Sequence, residues 1–439
     1  MLVGCGGNAR PTVPATGPVA ALPADSVWGV AWARPGPSLA LLPGPLGRLR
    51  PLFQRLDGTQ GVLASLVAKA SAGPRWFGVA EFPDAASARS FRAGFQVPGG
   101  HRLVFDQARG TLRPDSTGIV SGRLTERAWF RRSLADLGGV AGRTAMFCDL
   151  RELARAERGR PVGATAFDLH ALRRIPGVSS FLSIAVVLES HASKADRLRA
   201  SIGLARTPVG IAKAIDLPPG PLRLPQLIDP AGLDAWWVQR LDVSSLVGAL
   251  RLVASGTGMG VFGPDASQVL AMFGGGFLFD PKLWATLGQE WAGVVRSAAR
   301  PTVCVLVSVQ ARAALMRLID GIVADPPLRW SLRKSEIPGG TRLDLRWRGR
   351  RFVVVVGSRF AALGSRSERD WLVALVTGES SAAARARLTV RGAPESLNGM
   401  ARLGPALTQR FLGTSGSAEA WMIRSPNGFL FRVRLEQGR

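Results

Sequence analysis

A chain of 439 residues, 46% hydrophobic and 20% charged, carries a formal net charge of +25. That length suits two domains, and the composition excludes intrinsic disorder. No apolar run approaches the ~18 residues of a bilayer-spanning helix; FVVVVG at 352–357 and SIAVVLE at 183–189 are strand-length. Arginine supplies most of the charge, since Lys69, Lys194, Lys213, Lys282 and Lys334 are the only lysines and tyrosine is absent. A GC-rich genome explains arginine in place of lysine, but not that only 31 residues are acidic. The cationic surplus favours polyanions: anionic lipid, acidic glycan or nucleic acid.

The chain opens Leu2-Val3-Gly4-Cys5-Gly6. These residues resemble the lipobox of bacterial lipoproteins. The resemblance implies that Cys5 is the lipidated first residue of a mature chain, with Gly6 directing release to the outer membrane, facing periplasm or surface. The following GGNARPTVPATGPVAALP at 6–23 has no apolar periodicity and reads as a flexible tether, so 1–22 is lipobox plus tether. Lipidation needs a basic and apolar signal segment upstream of Met1. With Met1 as the true start, the chain stays cytoplasmic.

The remainder repeats itself. VPGGHRL at 97–103 matches IPGGTRL at 337–343, and GRLTERAW at 122–129 matches GSRSERDW at 364–371. The two matches share nearly one offset and support a single alignment. Before them, 75–95 and 301–322 both read as strand then helix; between them, each copy reads strand, turn, strand. Pro-Gly-Gly is a turn requiring positive φ. Thr125 and Ser367 sit at expected helix N-caps with Glu126 and Glu368 in the first turn, which places Trp129 and Trp371 on the buried helix face. More weakly, VWGVAWA at 27–33 matches AWWVQRLD at 235–242, and AMFCDLREL at 145–153 matches RLTVRGAPESL at 387–397. Proline-rich DLPPGPLRLPQLIDPAG at 216–232 reads as a linker. The expected fold is α+β: two tandem homologous units, 23–230 and 231–439, each a largely antiparallel sheet with helices packed on one face.

Chemistry is sparse. His101, His170 and His191 have no metal-ligand spacing and no CxxC beside them, so no metal and no cofactor are expected. GTSGS at 413–417 lacks the last glycine of a nucleophile elbow. GTGMGVFG at 256–263 lacks the strand-to-helix context of a nucleotide loop. Cys148 and Cys304 lie in apolar strand-like runs and read as buried free thiols, a bridge between them staying open. The basic strands say more. In TRLDLRWRGRR, Leu343, Leu345 and Trp347 alternate with Arg342, Arg346 and Arg348; in FLFRVRLE, Phe429, Phe431, Val433 and Leu435 alternate with Arg432 and Arg434. Arg342, Arg346, Arg348, Arg432 and Arg434 are therefore the candidate anion-binding residues of a cationic sheet surface that lacks aromatics for base stacking.

Lipobox and layout together resemble the tandem-repeat envelope lipoproteins of high-GC bacteria. The resemblance implies a non-enzymatic binding or scaffolding protein in the cell envelope. Its expected partners are the membrane, through a lipid anchor, and anionic lipid or polysaccharide, with an apolar ligand between the two units. Two alternatives stay open: a cytoplasmic polyanion (nucleic-acid) binder, and an enzyme whose site carries no recognised motif.

Overall fold

The structure, a computed structural model, describes residues 22, 24, 26–32, 59–66, 75–82, 84–93, 103–106, 111–114, 124–139, 144–156, 176–191, 194–228, 232–252, 281–296, 302–324, 330–347, 349–377, 388–412 and 416–437. Two compact units result. One comprises Met1–Phe167, Leu182–Ala192 and Arg197–Gly203; the other comprises Asp168–Phe181, Ser193–Asp196 and Leu204–Arg439. The described strand pairings within each are antiparallel, and helices pack on the sheets, an α+β arrangement.

The first unit runs β1 (Ser26–Trp32), β2 (Gln60–Leu66), β3 (Arg75–Glu81), α1 (Ala85–Ala93), β4 (Leu103–Asp106), β5 (Thr111–Pro114), α2 (Ala128–Asp136), β6 (Thr144–Asp149), α3 (Leu150–Ala156), β7 (Phe181–His191) and most of β8 (Lys194–Leu204). β1 is central, with β2 on one side and β6 on the other; β3 extends the β2 side and β7 the β6 side. β1 reads SVWGVAW, apolar on both faces, which suits a strand covered on both sides. Gly29 is required there, because a Cβ would lie 2.5 Å from the Phe147 ring. Phe130 of α2 meets Phe147 edge-on at 5.3 Å, and the buried Trp32 indole donates to Thr59 Oγ1 at 3.0 Å.

The second unit begins with α4 (Gly210–Ile215), β9 (Gly220–Pro221), β10 (Leu233–Arg240), α5 (Val243–Leu252), α6 (Pro281–Thr286), β11 (Leu287–Arg296), β12 (Thr302–Val309) and α7 (Arg312–Ala324). A meander follows: β13 (Trp330–Ile337), β14 (Gly340–Trp347), β15 (Arg350–Val356) and β16 (Phe360–Ser365). The chain ends with α8 (Arg369–Thr377), β17 (Ser396–Leu397), β18 (Gly399–Leu403), α9 (Pro405–Leu412), β19 (Gly416–Ser425) and β20 (Gly428–Gln437). Pairing gives the order β13-β14-β15-β16-β12-β11-β10-β18-β19-β20. The second Pro-Gly-Gly forms the β13–β14 turn, with Gly339 at φ 71°.

Three expectations change. Helices cover both faces of the second sheet, not one. Cys304, Leu306, Val353 and Val355 pack with Leu372 and Leu375 of α8, while the alternate residues Val307 and Val356 pack with Leu283 of α6 and Leu315 of α7. Runs such as VCVLV and FVVVV have no polar face to leave in water, so both sides need cover. Second, the segment expected to be a linker is built into this core. Leu222, Leu224 and Ile228 are buried in the α8-side cluster, and β9 pairs with β17. Leucines between the prolines make that burial worth about 1.5–3 kcal/mol each. Third, the Ser/Thr caps do not form: Thr125 and Ser367 lie in 3-10 turns (Leu124–Glu126 and Arg366–Glu368), and α2 starts from Arg127 with no side-chain cap. Glu368 instead pairs with Arg296 Nη1 at 2.5 Å and accepts from Thr302 Oγ1 at 2.9 Å, and Arg296 stacks over Trp371 at 5.0 Å. Trp129 and Trp371 are half-buried, the fully buried aromatic of α2 being Phe130.

Candidate functional site

Cys5, Arg348, His101, His170 and GTGMGVFG lie outside the described residues; His191 falls in β7. Of the remaining arginines, the structure separates two groups. Arg342 and Arg346 lie on β14, Arg432 and Arg434 on β20. These strands are eight steps apart in the sheet order, about 38 Å at ~4.8 Å per strand. The two groups share one sheet face, but the buried cluster under α8 occupies the face between them, so no continuous cationic surface joins them. Arg342 is engaged: its Nε donates to Asp344 Oδ2 at 3.1 Å and its Nη2 to Ser335 Oγ at 3.3 Å. Arg346 is exposed.

At the β20 end, neighbouring strands bring in a residue the strand patterns did not single out. Arg434 is in register with Glu419, and Glu419 with Arg402. Glu419 is buried, 4.0 Å from Arg402 Nε and 3.3 Å from the Arg391 backbone N–H. Arg432 lies over the Trp421 ring at 5.1 Å. The arginine face thus does hold an aromatic, contrary to expectation, but that ring is buried and already covered by a guanidinium.

A second candidate site, among the described residues, is apolar. A cavity of about 260 Å³ lies between helices α6 and α7 and the sheet face of β11 to β16. Its walls include Trp284, Trp291, Leu315, Ile319, Leu345 and Val354. The Trp284 and Trp291 rings lie 6.1 Å apart, and the Trp291 indole N–H donates to the Gly288 carbonyl at 3.2 Å rather than into the space. The inner wall is closed by Leu283, Ile319, Val356 and Ala361, each under 10% exposed. Leu363 is both a wall residue and 40% exposed, which marks the opening. Cross-strand register places Leu363, Val305, Gly293 and Trp237 in one row on this face. Trp237 is 39% exposed, and Val303, two residues before Val305, is 56% exposed. An apolar strip therefore continues outward from the mouth. A space of this size with apolar walls accepts apolar matter; an engineered cavity of about 150 Å³ takes up benzene. The double-sided apolar runs were the sequence signal for this site, since they require a second layer over the outer face.

On the opposite face, Glu290 is buried and accepts the Leu224 N–H at 2.5 Å. Burial pushes its carboxyl above the usual range, against the opposing pull of the Arg223 and Leu224 backbone N–H groups. Cys148 and Cys304 are free thiols, each pushed up to about 12, chiefly by burial. Among the described residues, no group of three or more His, Cys, Asp or Glu could hold a metal ion, and no helix is long and apolar enough to cross a membrane.

No protein-family model matches the chain, and neither curated proteins nor solved structures give a match.

Proposed function

We propose that this is a non-enzymatic envelope lipoprotein of two tandem homologous units, anchored through lipidated Cys5, whose second unit binds an apolar ligand. The 260 Å³ cavity beneath α6 and α7 carries the reading. A well-formed apolar hollow is the usual seat of a small hydrophobic ligand. The ligand thereby belongs inside the second unit.

The duplication draws support from the strand orders. β1 is flanked by β2 and β6, and β10 by β11 and β18; β3 follows β2 as β12 follows β11, and β7 follows β6 as β19 follows β18. In this alignment AMFCDLREL corresponds to β18, not to the 387–397 stretch. Arg402, Arg432 and Arg434 form the basic surface for anionic lipid or polysaccharide.

Three measurements test the reading. Protein from native membranes should yield an acylated Cys5 as the N-terminal residue by peptide mass, and solvent extraction should release co-purified lipid. The purified full chain should enhance the fluorescence of N-phenyl-1-naphthylamine saturably. Unmodified Met1-Leu2-Val3-Gly4-Cys5 overturns the anchor. Absence of both lipid and dye binding overturns the ligand site.

A further inference from the structure

We infer that the cavity selects its ligand by the length of a single alkyl chain and is indifferent to the group at the chain's outer end. The inference rests on the apolar-ligand reading above and goes further by naming the ligand class.

Capacity sets the chain. If about 150 Å³ accommodates the six carbons of benzene, 260 Å³ accommodates roughly ten. Ten carbons make one chain segment; a two-chain lipid cannot place both tails inside. Closure sets the limit. Leu283, Leu315, Ile319, Val356 and Ala361, all buried, form the inner end, so a chain that reaches them can advance no further. The opening at Leu363 sets the orientation, with the terminal methyl inward and the substituted end in water.

Indifference to the head group follows from the walls. They are Leu, Val, Ile, Ala and Trp side chains, and the Trp291 N–H is already bonded to Gly288. The outward strip of Val305, Val303 and Trp237 is apolar as well. On this sheet face Lys334, in register with the wall residue Leu343, is held by Asp320 of α7 at 2.8 Å and by Glu336 at 3.5 Å. Among the described residues of these walls, a head group at the mouth thus meets no free donor or acceptor.

The test is dye displacement from the full chain by saturated alcohols, carboxylates and trimethylammonium salts of six to sixteen carbons, below their micelle concentrations. Affinity should rise about fourfold per methylene up to roughly ten carbons and then flatten. The three head groups should agree within about threefold at equal length, since an unmade polar contact discriminates nothing. Ala361→Leu adds about three carbons to the closed end and should move the break to shorter chains by a similar count. Val307→Leu, in register with Ala361 at the closed end, adds about one carbon there and is the second route to a smaller shift in the same direction if the first variant fails to fold. Affinity that keeps climbing to sixteen carbons, or a head-group preference above about tenfold, overturns the ruler while leaving the apolar site standing. Failure of every alkyl compound and of the dye removes both.

Discussion

Asn398 offers the most demanding test of how the second unit is assembled. It is fully buried, and its amide joins two segments distant in sequence. Nδ2 donates to the Leu217 carbonyl at 2.6 Å, and Oδ1 accepts the Arg424 N–H at 2.6 Å. Asn398→Ala leaves both backbone groups buried without partners, each at a cost of about 1–3 kcal/mol, and opens a small void besides. A loss of about 3–5 kcal/mol is expected. For a unit of this size that lowers the melting midpoint by about 10 °C, read by circular dichroism or by urea titration. The 216–228 segment should also become the first site of limited proteolysis, since Asn398 is one of its fastenings. Asn398→Asp separates the two bonds. The carboxylate keeps an acceptor for Arg424 but turns a second oxygen toward the Leu217 carbonyl. Its folded pKa must then be raised, so the penalty is full at neutral pH and is relieved as pH falls and the acid O–H replaces the amide donor. A cost below about 1 kcal/mol for the alanine variant, or no recovery of the aspartate variant in acid, would refute the reasoning.

Glu290 has a raised folded pKa, so its charge costs stability above that value, and the cost is relieved as pH falls through the window between the folded and the ordinary carboxylate pKa. Glu290→Gln, which keeps the acceptor for Leu224, should flatten the acid side of the stability–pH curve without loss at pH 7, whereas Glu290→Ala should destabilise at every pH; equal curves for wild type and glutamine variant would count against this. With both thiols near 12, about one part in ten thousand is thiolate at pH 8, so in a Cys5→Ser chain neither Cys148 nor Cys304 should react with Ellman's reagent until urea is added. A fast stoichiometric thiol in native buffer would contradict this, Cys304 being buried and Cys148 half-buried. A Cβ at Gly293 would fall 1.8 Å from the Trp237 ring, which lies over that glycine from the neighbouring strand. Gly293→Ala should therefore drive the indole into solvent, with a red-shifted emission and a loss of about 1–2 kcal/mol; unchanged emission would show that the ring does not rest there.

The sequence by itself determined the strands and their kind. TAMFCD, SIAVVLE, TVCVLVSV and FVVVV all lie in strands, because β-branched apolar runs bounded by glycine, proline and charge have few other stable conformations. It also located the β13–β14 turn, where Gly339 takes the positive φ that Pro-Gly-Gly demands. These are local properties, read from a few neighbouring residues. What lies beside what was decided only by the tertiary structure. Register sets Arg342 and Arg432 on one face, but alternation says nothing of strand order, and the order sets them at opposite ends of the sheet. Prolines at 218–230 looked like a linker because local composition cannot show that Leu222, Leu224 and Ile228 fill a hollow beneath β10 and β11. Glu368 looked like a helix-dipole acid until Arg296, 72 positions away, proved to be its partner. The cavity is the extreme case, since helices and strands far apart in the chain must pack incompletely to leave it. Packing density is a property of the assembled layers, and no single segment encodes it.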